Sequence, residues 1–234
     1  MHIATAACRL TRHALLAASL LIALPATSGA ADDLPQASPE GLELQRDTRA
    51  RAVYLKPGFT LSPYKRVALL DCFVDFTKDW QKEFNQDQRG TGNRATTKDM
   101  DRIKADLAAE FRKVFTDELQ AKGGYEVVTT AAPDVLVLRP ALINLAITAP
   151  DLSSPNMNRT IVESAGQMTL YLELYDSVSN TLLARVMDPK ADNRGMAQMA
   201  NRVTNKAAAD RILRAWASAL REHLDAAQGK SPAP

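Results

Sequence analysis

The sequence predicts an α/β (α+β) fold, a two-layer sandwich in which a mixed, mostly antiparallel sheet of about five strands carries two long helices on one face. Three observations predict this class. The apolar patterns follow one another in the order strand, helix, four strands, helix. Each predicted helix has one apolar stripe, and the strands supply one strongly apolar face. Helices and a sheet of this kind bury their apolar surfaces by stacking on each other.

The first predicted strand runs from Val67 to Phe76, after two turns that contain proline. Counting by twos gives one unbroken apolar face and a second face that is apolar early and acidic late. The start of the strand is therefore expected to be buried on both sides. The unbroken face consists of Ala68, Leu70, Cys72, Val74 and Phe76. The polar, glycine-containing stretch from Lys78 to Thr96 predicts a long loop with at most one helical turn.

Two amphipathic helices are predicted. The first spans Thr97 to Lys122, where apolar residues recur at helical spacing and charged residues fill the opposite side. Thr96 and Asp99 resemble an N-terminal capping pair, and the Gly-Gly pair after the helix supplies a left-handed stop. The second helix closes the domain. The inner stripes are Ile103, Leu107, Phe111, Val114, Phe115 and Leu119 in the first helix and Ile212, Leu213, Trp216, Leu220 and Leu224 in the second.

Four strands are predicted between the helices, beginning with the short YEVVTT and the long DVLVLRPALINLAI. Pro140 in the long strand removes a backbone donor, so this strand is expected to bend there or to lie near an edge. The last two strands form a hairpin around a turn from Asp176 to Asn180. The alternating positions are Val135, Val137, Arg139, Ala141, Ile143, Leu145 and Ile147 in the long strand, and Met168, Leu170, Leu172, Leu174, Leu182, Ala184 and Val186 in the hairpin.

The N-terminal segment is typical of a secretory signal peptide. Its apolar run from Ala14 to Ala26 is shorter than the roughly 20 residues that cross a membrane, which disfavours the alternative of an uncleaved anchor. Small residues after the run favour cleavage after Ala30, with Ala31 as the alternative. The predicted organisation is a signal peptide over 1–30, a flexible arm over 31–50, a single α/β domain over 51–226 and a disordered tail over 227–234.

The charge and the side-chain inventory of the mature chain exclude several classes of protein. Removal of residues 1–30 takes two arginines from 29 basic residues, and the 27 that remain equal the 27 acidic residues. A nearly neutral chain argues against a nucleic-acid binder. Because no later segment has transmembrane length, we expect a periplasmic protein that meets the membrane only through a partner. The mature chain keeps one histidine, His223, and one cysteine, Cys72. The sequence therefore predicts that the protein is not an enzyme and binds no cofactor.

Three segments carry a family resemblance: YLKPGFTLSPYKRVALL (54–70), PDVLVLRPALINL (133–145) and AGQMTLYLELYDSVSNTLLARV (165–186). They resemble family 3313 of the domains of unknown function, uncharacterised Gram-negative envelope proteins that often carry a lipoprotein label. The resemblance implies an envelope location and no established activity. The chain departs from the lipoprotein pattern, because Cys8 precedes the apolar run and no cysteine stands at its end. More loosely, the order of elements is similar to that of partner-binding periplasmic domains, such as the amino-terminal part of the Tol translocation protein.

Two groups of residues are candidate sites. Asp71 and Asp75 share a face of the first strand and Asp79 follows, so these carboxylates are weak candidates for binding a hard cation such as calcium. The alternative is that they mark where the strand meets water. Trp80 and Phe84 are the only large apolar residues of a polar stretch and are candidates for contact with a partner. The alternative is that they fold back onto the core.

The favoured hypothesis is a non-enzymatic accessory or assembly factor of the cell envelope that acts through contacts with an envelope protein. The first alternative is a small-molecule or metal-binding periplasmic module that uses the acidic end of the first strand. A less favoured alternative is a hydrolase that uses carboxylates such as Asp71 and Glu173.

Overall fold

The strands and helices are seen in a computed structural model that describes residues 34–148, 150, 152, 160–200 and 202–230. The strands are β1 (Glu43–Gln45), β2 (Ala52–Leu55), β3 (Arg66–Leu69), β4 (Phe73–Phe76), β5 (Glu126–Val127), β6 (Val135–Ile147), β7 (Thr160–Asp176) and β8 (Leu182–Ala200). The helices are α1 (Trp80–Asp87), α2 (Thr97–Gln120) and α3 (Arg202–Ala227), and a 3₁₀ turn (Ala121–Gly123) follows α2.

The strands form one sheet in the order β1-β2-β8-β7-β6-β3-β5, and β4 also pairs with β6. Pairing is antiparallel from β1 to β6 and parallel where β3 and β4 meet β6 and where β3 meets β5. The apolar stripes of α2 and α3 share one core with the sheet. The predicted two-layer α+β class is therefore confirmed. Among the described residues the sheet has eight strands instead of about five, because the sequence patterns predict neither β1 nor β2 and because the first predicted strand is two strands.

The first predicted strand is divided into β3 and β4 by a break at residues 70–72. The alternation of buried residues changes phase across this break, since Val67 and Leu69 are buried before it and Cys72, Val74 and Phe76 are buried after it. The predicted apolar face is therefore wrong at Ala68 and Leu70 and right in the second half. A strand that ends and restarts beside the same neighbour does not keep the two-residue period of one continuous strand.

Pro140 lies inside β6, which is paired on both sides, so the prediction of an edge position is wrong. The Leu70 amide donates to the Leu138 carbonyl at 3.0 Å, which shows that the backbone groups of the even-numbered residues here point toward β3 and β4. Pro140 therefore faces the break between those two strands. The absence of an N–H group at Pro140 therefore costs the sheet no hydrogen bond, and this explains why a proline is found in the interior of the sheet.

β6 also changes phase, at Asn144. This residue has φ 53° and lies where the register between β6 and β7 shifts. Before the shift the even-numbered residues are buried, and after it Leu145 is buried. The predicted face of odd-numbered residues is therefore wrong between Val137 and Ile143, because the bulge adds one residue to β6 without one opposite it.

β7 and β8 form the predicted hairpin, in which the Asp176 carboxylate accepts hydrogen bonds from two backbone amides of the turn. The pairing extends further than predicted, to Thr160 and Ala200, and passes Gly166, where the pairing of β7 with β6 ends. A Cβ atom on Gly166 would lie 2.6 Å from the carbonyl oxygen of Ala146, so the close approach of these strands requires glycine. The predicted apolar face of β7 is buried at Met168, Leu170, Leu172 and Leu174.

The stretch between β4 and α2 contains a helix, α1, so the prediction of a long loop is wrong for residues 80–87. Trp80 and Phe84 are four residues apart and therefore lie on the same side of α1, which covers Phe76. α2 begins as predicted with a capping box, in which the Thr96 side chain accepts from the Asp99 amide and the Asp99 carboxylate accepts from the Thr96 amide.

Arg221 of α3 closes the C-terminal end of α2. Its Nε donates to the buried Asp225 carboxylate at 2.7 Å. A Cβ atom on Gly124 would lie 2.2 Å from Arg221 Nη1, so this glycine leaves room for the guanidinium, while Gly123 with φ 69° supplies the predicted left-handed stop. Arg221 Nη1 donates to the carbonyls of Glu118, Leu119 and Ala121 at 3.3, 3.1 and 2.9 Å.

Residues near both ends of the described chain fold onto the domain. Leu42 is fully buried and β1 pairs with β2, so residues 42–45 of the segment predicted as a flexible arm over 31–50 pack on the domain. The Gln228 amide donates to the carbonyls of Ser62 and Tyr64, so the predicted tail is folded at its start. The predicted signal peptide and cleavage site lie outside the described residues, as do residues 231–234. Within the described ranges, no helix has the length and apolar character to cross a membrane.

Candidate functional site: the open face of the sheet

The face of the sheet opposite the core helices is partly exposed. Side chains alternate between the two faces of a strand, so each residue of β6 or β7 that points away from the core lies on this open face. The alternation is clear in the burial pattern of residues 136–143 of β6 and 168–175 of β7, because the even-numbered residues there are buried in the core while most of their odd-numbered neighbours keep access to solvent. The partly exposed residues are Val137, Ala141, Ile143, Thr169, Tyr171 and Tyr175.

An apolar row crosses the open face. Register pairs link Phe73 of β4 to Ala141, Ala141 to Tyr171, Tyr171 to Met187 and Met187 to Ala52. Laterally paired residues point to the same face, so these five side chains form one continuous apolar row. Phe73 stands at the end of the row and is 61% exposed, although it is a large apolar residue.

A charged row lies beside the apolar row. Glu173 of β7 is in register with Arg139 on one side and with Arg185 on the other. Its carboxylate accepts hydrogen bonds from the hydroxyls of Tyr171 and Tyr175 at 3.1 and 2.8 Å. Arg185 donates to it through Nε at 3.1 Å and Nη2 at 2.9 Å. The buried carboxylate is therefore saturated with donors.

These contacts determine the ionisation of the charged row. Burial works to raise the pKa of Glu173, but the hydrogen bonds from Tyr175, Arg185 and Tyr171 outweigh it and hold the pKa below its usual value. Burial raises the pKa of Tyr171 to about 12, and the nearby Glu173 charge adds to the rise. Glu173 is therefore an anion and Tyr171 a neutral hydroxyl donor at neutral pH, which suits a structural network and not a proton shuttle.

The N-terminal segment covers one end of the open face. Glu40 forms a two-point contact with Arg185, in which Nη1 and Nη2 each donate at 3.0 Å. The Tyr54 hydroxyl donates to the Pro35 carbonyl at 2.9 Å, and Leu42 is buried nearby. The part of the face that remains accessible is therefore the opposite end, around β4, β6 and β7.

Arg139 is the charged group of this accessible end. Its side chain is 64% exposed, and its Nη1 lies 3.5 Å from the Glu173 carboxylate, which already accepts from three other groups. A guanidinium carries five N–H donors. Arg139 therefore retains donor capacity toward solvent or toward a carboxylate of a partner.

The three aspartates predicted as weak metal ligands lie at the β4 edge and do not share one site. Asp71 is paired with Arg112 of α2 at 2.6 Å, and Asp75 is paired with Lys104 of α2 at 2.7 Å. The Lys104 ammonium lowers the pKa of Asp75. Asp79 is the N-cap residue of α1. Across the described residues, no group of three or more metal-ligating side chains is found.

Trp80 and Phe84 do not form the exposed aromatic pair that the partner-contact prediction requires. Trp80 is buried, and its ring stacks on Phe76 with centroids 4.5 Å apart and on Phe84 with centroids 5.2 Å apart. Phe84 is half-buried and packs against the same core. Trp80 therefore folds back onto the core, because the stretch forms a helix with both rings on its inner side, and contact of either residue with a partner stays a prediction.

The groups considered for catalysis are also separate. Cys72 is buried, and burial raises the pKa of its thiol to about 12. His223 is exposed on the last turns of α3. Asp71 is paired with a helix while Glu173 is saturated within the open face, so each carboxylate of the hydrolase hypothesis is engaged in its own ion pair.

Sequence reasoning does not find the open face, although one signal points to it. Arg139, Glu173 and Arg185 interrupt strands that are otherwise apolar. A charged residue in the middle of such a strand indicates a face that is not in the core. The strand order that brings the three residues into one row is absent from the local pattern.

The fold and this face define a two-layer α+β domain with one sheet face under helices and the other partly accessible. The chain belongs to the family described as "Protein of unknown function (DUF3313)", which matches residues 36–220. The family resemblance seen in the sequence is thereby confirmed.

Solved structures with a similar arrangement include two crystal forms of the PelC dodecamer from Paraburkholderia phytofirmans. They share 10% and 11% sequence identity with this chain and have TM-scores of 0.36 and 0.38. Each match covers 72% of this chain, and the two matches cover 95% and 96% of the PelC chain. A third, described as a homologue of a neuraminyllactose-binding hemagglutinin from Helicobacter pylori, shares 10% identity, covers 73% of this chain and 95% of that chain, and has a TM-score of 0.31. No curated protein sequence matches the chain.

Proposed function

We propose that this protein is exported to the periplasm and acts there without catalysis, as an accessory or assembly factor that binds another envelope protein through the open face of its sheet. The observation that carries the proposal is the accessible end of this face, where an exposed phenylalanine, two tyrosines and an arginine lie together. Interfaces are enriched in aromatic residues and arginine, and binding energy concentrates in such residues.

The chemistry of this face specifies the surface that fits it. The apolar row offers Phe73 and Tyr171 for contact with apolar side chains. Arg139 offers unused guanidinium donors next to that row. The complementary partner is therefore an envelope protein that presents an apolar patch with a carboxylate beside it. The paired charges of Glu173, Arg185 and Glu40 hold the face rigid, so little conformational entropy is lost on binding.

Site-specific photocrosslinking in intact cells tests the partner. A photoreactive phenylalanine analogue at Phe73 is expected to give one discrete crosslinked species. The matched control is the same analogue at Val178, which has nearly the same exposure of 64% but lies in the turn between β7 and β8. The charge reversal Arg139→Glu is expected to abolish the Phe73 crosslink. Equal crosslinking from both positions, or a Phe73 crosslink that survives the reversal, would contradict the proposal.

Export is tested separately by fractionation. The full-length chain is expected to yield a shorter periplasmic form whose N-terminal residue follows Ala30 or Ala31. An intact precursor in the cytosol would contradict the export step, and a fatty-acylated product would contradict the expectation of a chain without a lipid anchor. Either outcome would leave the binding of a partner to be judged from the crosslinking experiment alone.

A further inference from the structure

The loop RGTGNR (89–94) lies between α1 and α2 and is held in place at its base. The Asn85 side chain makes a two-point contact with the backbone of Ala95, in which Oδ1 accepts from the Ala95 amide at 2.7 Å and Nδ2 donates to the Ala95 carbonyl at 3.0 Å. Gln81 Nε2 donates to the same carbonyl at 3.0 Å, and Ala95 is buried. The loop therefore leaves α1 and returns to the same helix, so both of its ends are fixed.

A cavity of about 470 Å³ lies between this loop and one side of α1. Its volume is within the roughly 300 to 1,000 Å³ of small-molecule sites, so it holds a molecule larger than a single inorganic ion. Apart from two loop glycines, the described residues that line it are polar or basic, and none of them is acidic or apolar. The lining side chains are the cations Lys82, Arg89 and Arg94 and the amides Asn85, Gln86 and Gln88.

The three cations of this cavity have no counter-ion among the described residues. The side chains of Lys82, Arg89 and Arg94 form neither an ion pair nor a hydrogen bond with any of them. The acids of α1, Glu83 and Asp87, line a different cavity, on the side of the helix that faces the ends of β6 and β7. The charges of α1 are thus divided between two sides, although the charges of the whole chain nearly balance. Three cations around one concave surface make its potential positive and favour an anion there.

We infer that this cavity binds a phosphate ester of a small hydroxyl-bearing molecule, with the phosphoryl group held by Lys82, Arg89 and Arg94. A phosphate monoester carries close to two negative charges at neutral pH, which three cations without counter-ions can balance. Each guanidinium can donate two parallel hydrogen bonds to phosphate oxygens, and the ammonium adds a point charge.

The rest of the lining favours a polar group on the phosphate. The side chain of Gln86 makes no hydrogen bond within the described part of the chain, so its amide has a donor and an acceptor available for a hydroxyl of the ligand. Soluble glycerol or sugar phosphates and the headgroups of phospholipids share this chemistry. The site has no residue in common with the open face, so it does not depend on the proposed partner.

Two binding assays test the site and separate the two sources of the ligand. Calorimetric titration uses glycerol 1-phosphate, inorganic phosphate and neutral glycerol as probes. Co-sedimentation uses vesicles of phosphatidylcholine with and without phosphatidate. Glycerol 1-phosphate is expected to bind at one site per chain and at least tenfold more tightly than inorganic phosphate, and glycerol is expected not to bind.

The combination of results identifies the source. Binding of glycerol 1-phosphate without capture by the phosphatidate vesicles identifies a soluble ester, and capture by these vesicles identifies a lipid headgroup. Equal binding of the two soluble phosphates would overturn the esterified group. Equal binding of glycerol, or equal capture by phosphatidylcholine alone, would overturn the role of the phosphoryl group. Binding of neither glycerol 1-phosphate nor the phosphatidate vesicles would overturn the site.

Substitutions of the cations locate the bound probe. Arg89→Gln and Arg94→Gln each remove one charge from an exposed position, so folding is expected to be unaffected, and each is expected to weaken binding at least tenfold. The matched control is Lys56→Gln, which removes one charge from an exposed position after β2 and is expected to leave binding unchanged. Thermal melting of each variant checks folding. A double variant Arg89→Gln/Arg94→Gln that binds as tightly as the wild type would overturn the assignment to this cavity.

Discussion

Replacing Arg221 with alanine is expected to lower the free energy of unfolding by about 3 to 5 kcal/mol. The guanidinium joins α3 to the C-terminal end of α2 through three backbone carbonyls, and it is the charge partner of Asp225. The Asp225 residue is 5% exposed. Loss of Arg221 therefore leaves a buried carboxylate whose remaining side-chain donor is the Tyr125 hydroxyl at 3.0 Å.

The magnitude follows from the burial of this pair. Removing one partner of a buried ion pair costs about 3 to 5 kcal/mol, because the remaining charge stays desolvated. The carbonyls of α2 add less, since the space left by the side chain admits water. A domain of this size shifts its melting temperature by roughly 2 to 4 °C per kcal/mol, so the expected shift is roughly 6 to 20 °C.

Urea unfolding followed by circular dichroism measures the effect. The matched control is Arg214→Ala, which removes an exposed i,i+4 pair with Asp210 on the same helix and is expected to cost about 0.5 kcal/mol or less. The double variant Arg221→Ala/Asp225→Asn no longer buries an unpaired charge and is expected to be more stable than Arg221→Ala alone. A loss below about 1 kcal/mol, or a double variant no more stable than the single one, would refute the reasoning.

Three further outcomes are expected. Gly166→Ala places a Cβ atom 2.6 Å from the Ala146 carbonyl oxygen, so it is expected to lower the melting temperature and to speed amide hydrogen exchange at the end of β6 and around residue 166 of β7. Unchanged exchange would show that the strands do not approach so closely. The hydrogen bond from Arg185 lowers the pKa of Glu40 from 4.5 to about 2, so the extra stability of the wild type over Glu40→Gln is expected in full above pH 4.5 and is lost as the pH falls toward 2. Urea midpoints of both proteins across that range check this, and a difference that does not shrink would contradict it. Burial raises the pKa of the Cys72 thiol to about 12, so a thiol reagent at pH 8 is expected to react in urea and not with the native protein, and rapid native labelling would disprove its burial.

The helices and the central hairpin were within reach of sequence reasoning because their signals are local. The capping box at Thr96 and Asp99 and the alternation from Met168 to Leu174 depend on neighbours a few residues away. The phase changes at residues 70–72 and at Asn144 depend on which strand lies alongside, and that information is not in the local pattern. Each change reverses the predicted face for several residues.

The candidate site shows the same limit. Glu173, Arg139 and Arg185 stand on three different strands and come together only through the strand order β8-β7-β6. The sequence shows three charges that interrupt apolar runs and cannot show that they meet. The isolated aromatic residues Trp80 and Phe84 mislead for a related reason, because the loop assigned to them is a helix that turns both rings inward.

The pairing of β2 with β8 constrains the order in which this protein assembles. Residues 52–55 meet residues 184–187, which emerge about 130 residues later during synthesis. β2 can therefore pair with β1 early but has no neighbour on its other side until the hairpin of β7 and β8 has formed, and contacts so distant along the chain make folding slow. Until that neighbour forms, Ala52 and Tyr54 lack their native cover on that side, and apolar surface and strand edges exposed in this way during folding favour aggregation.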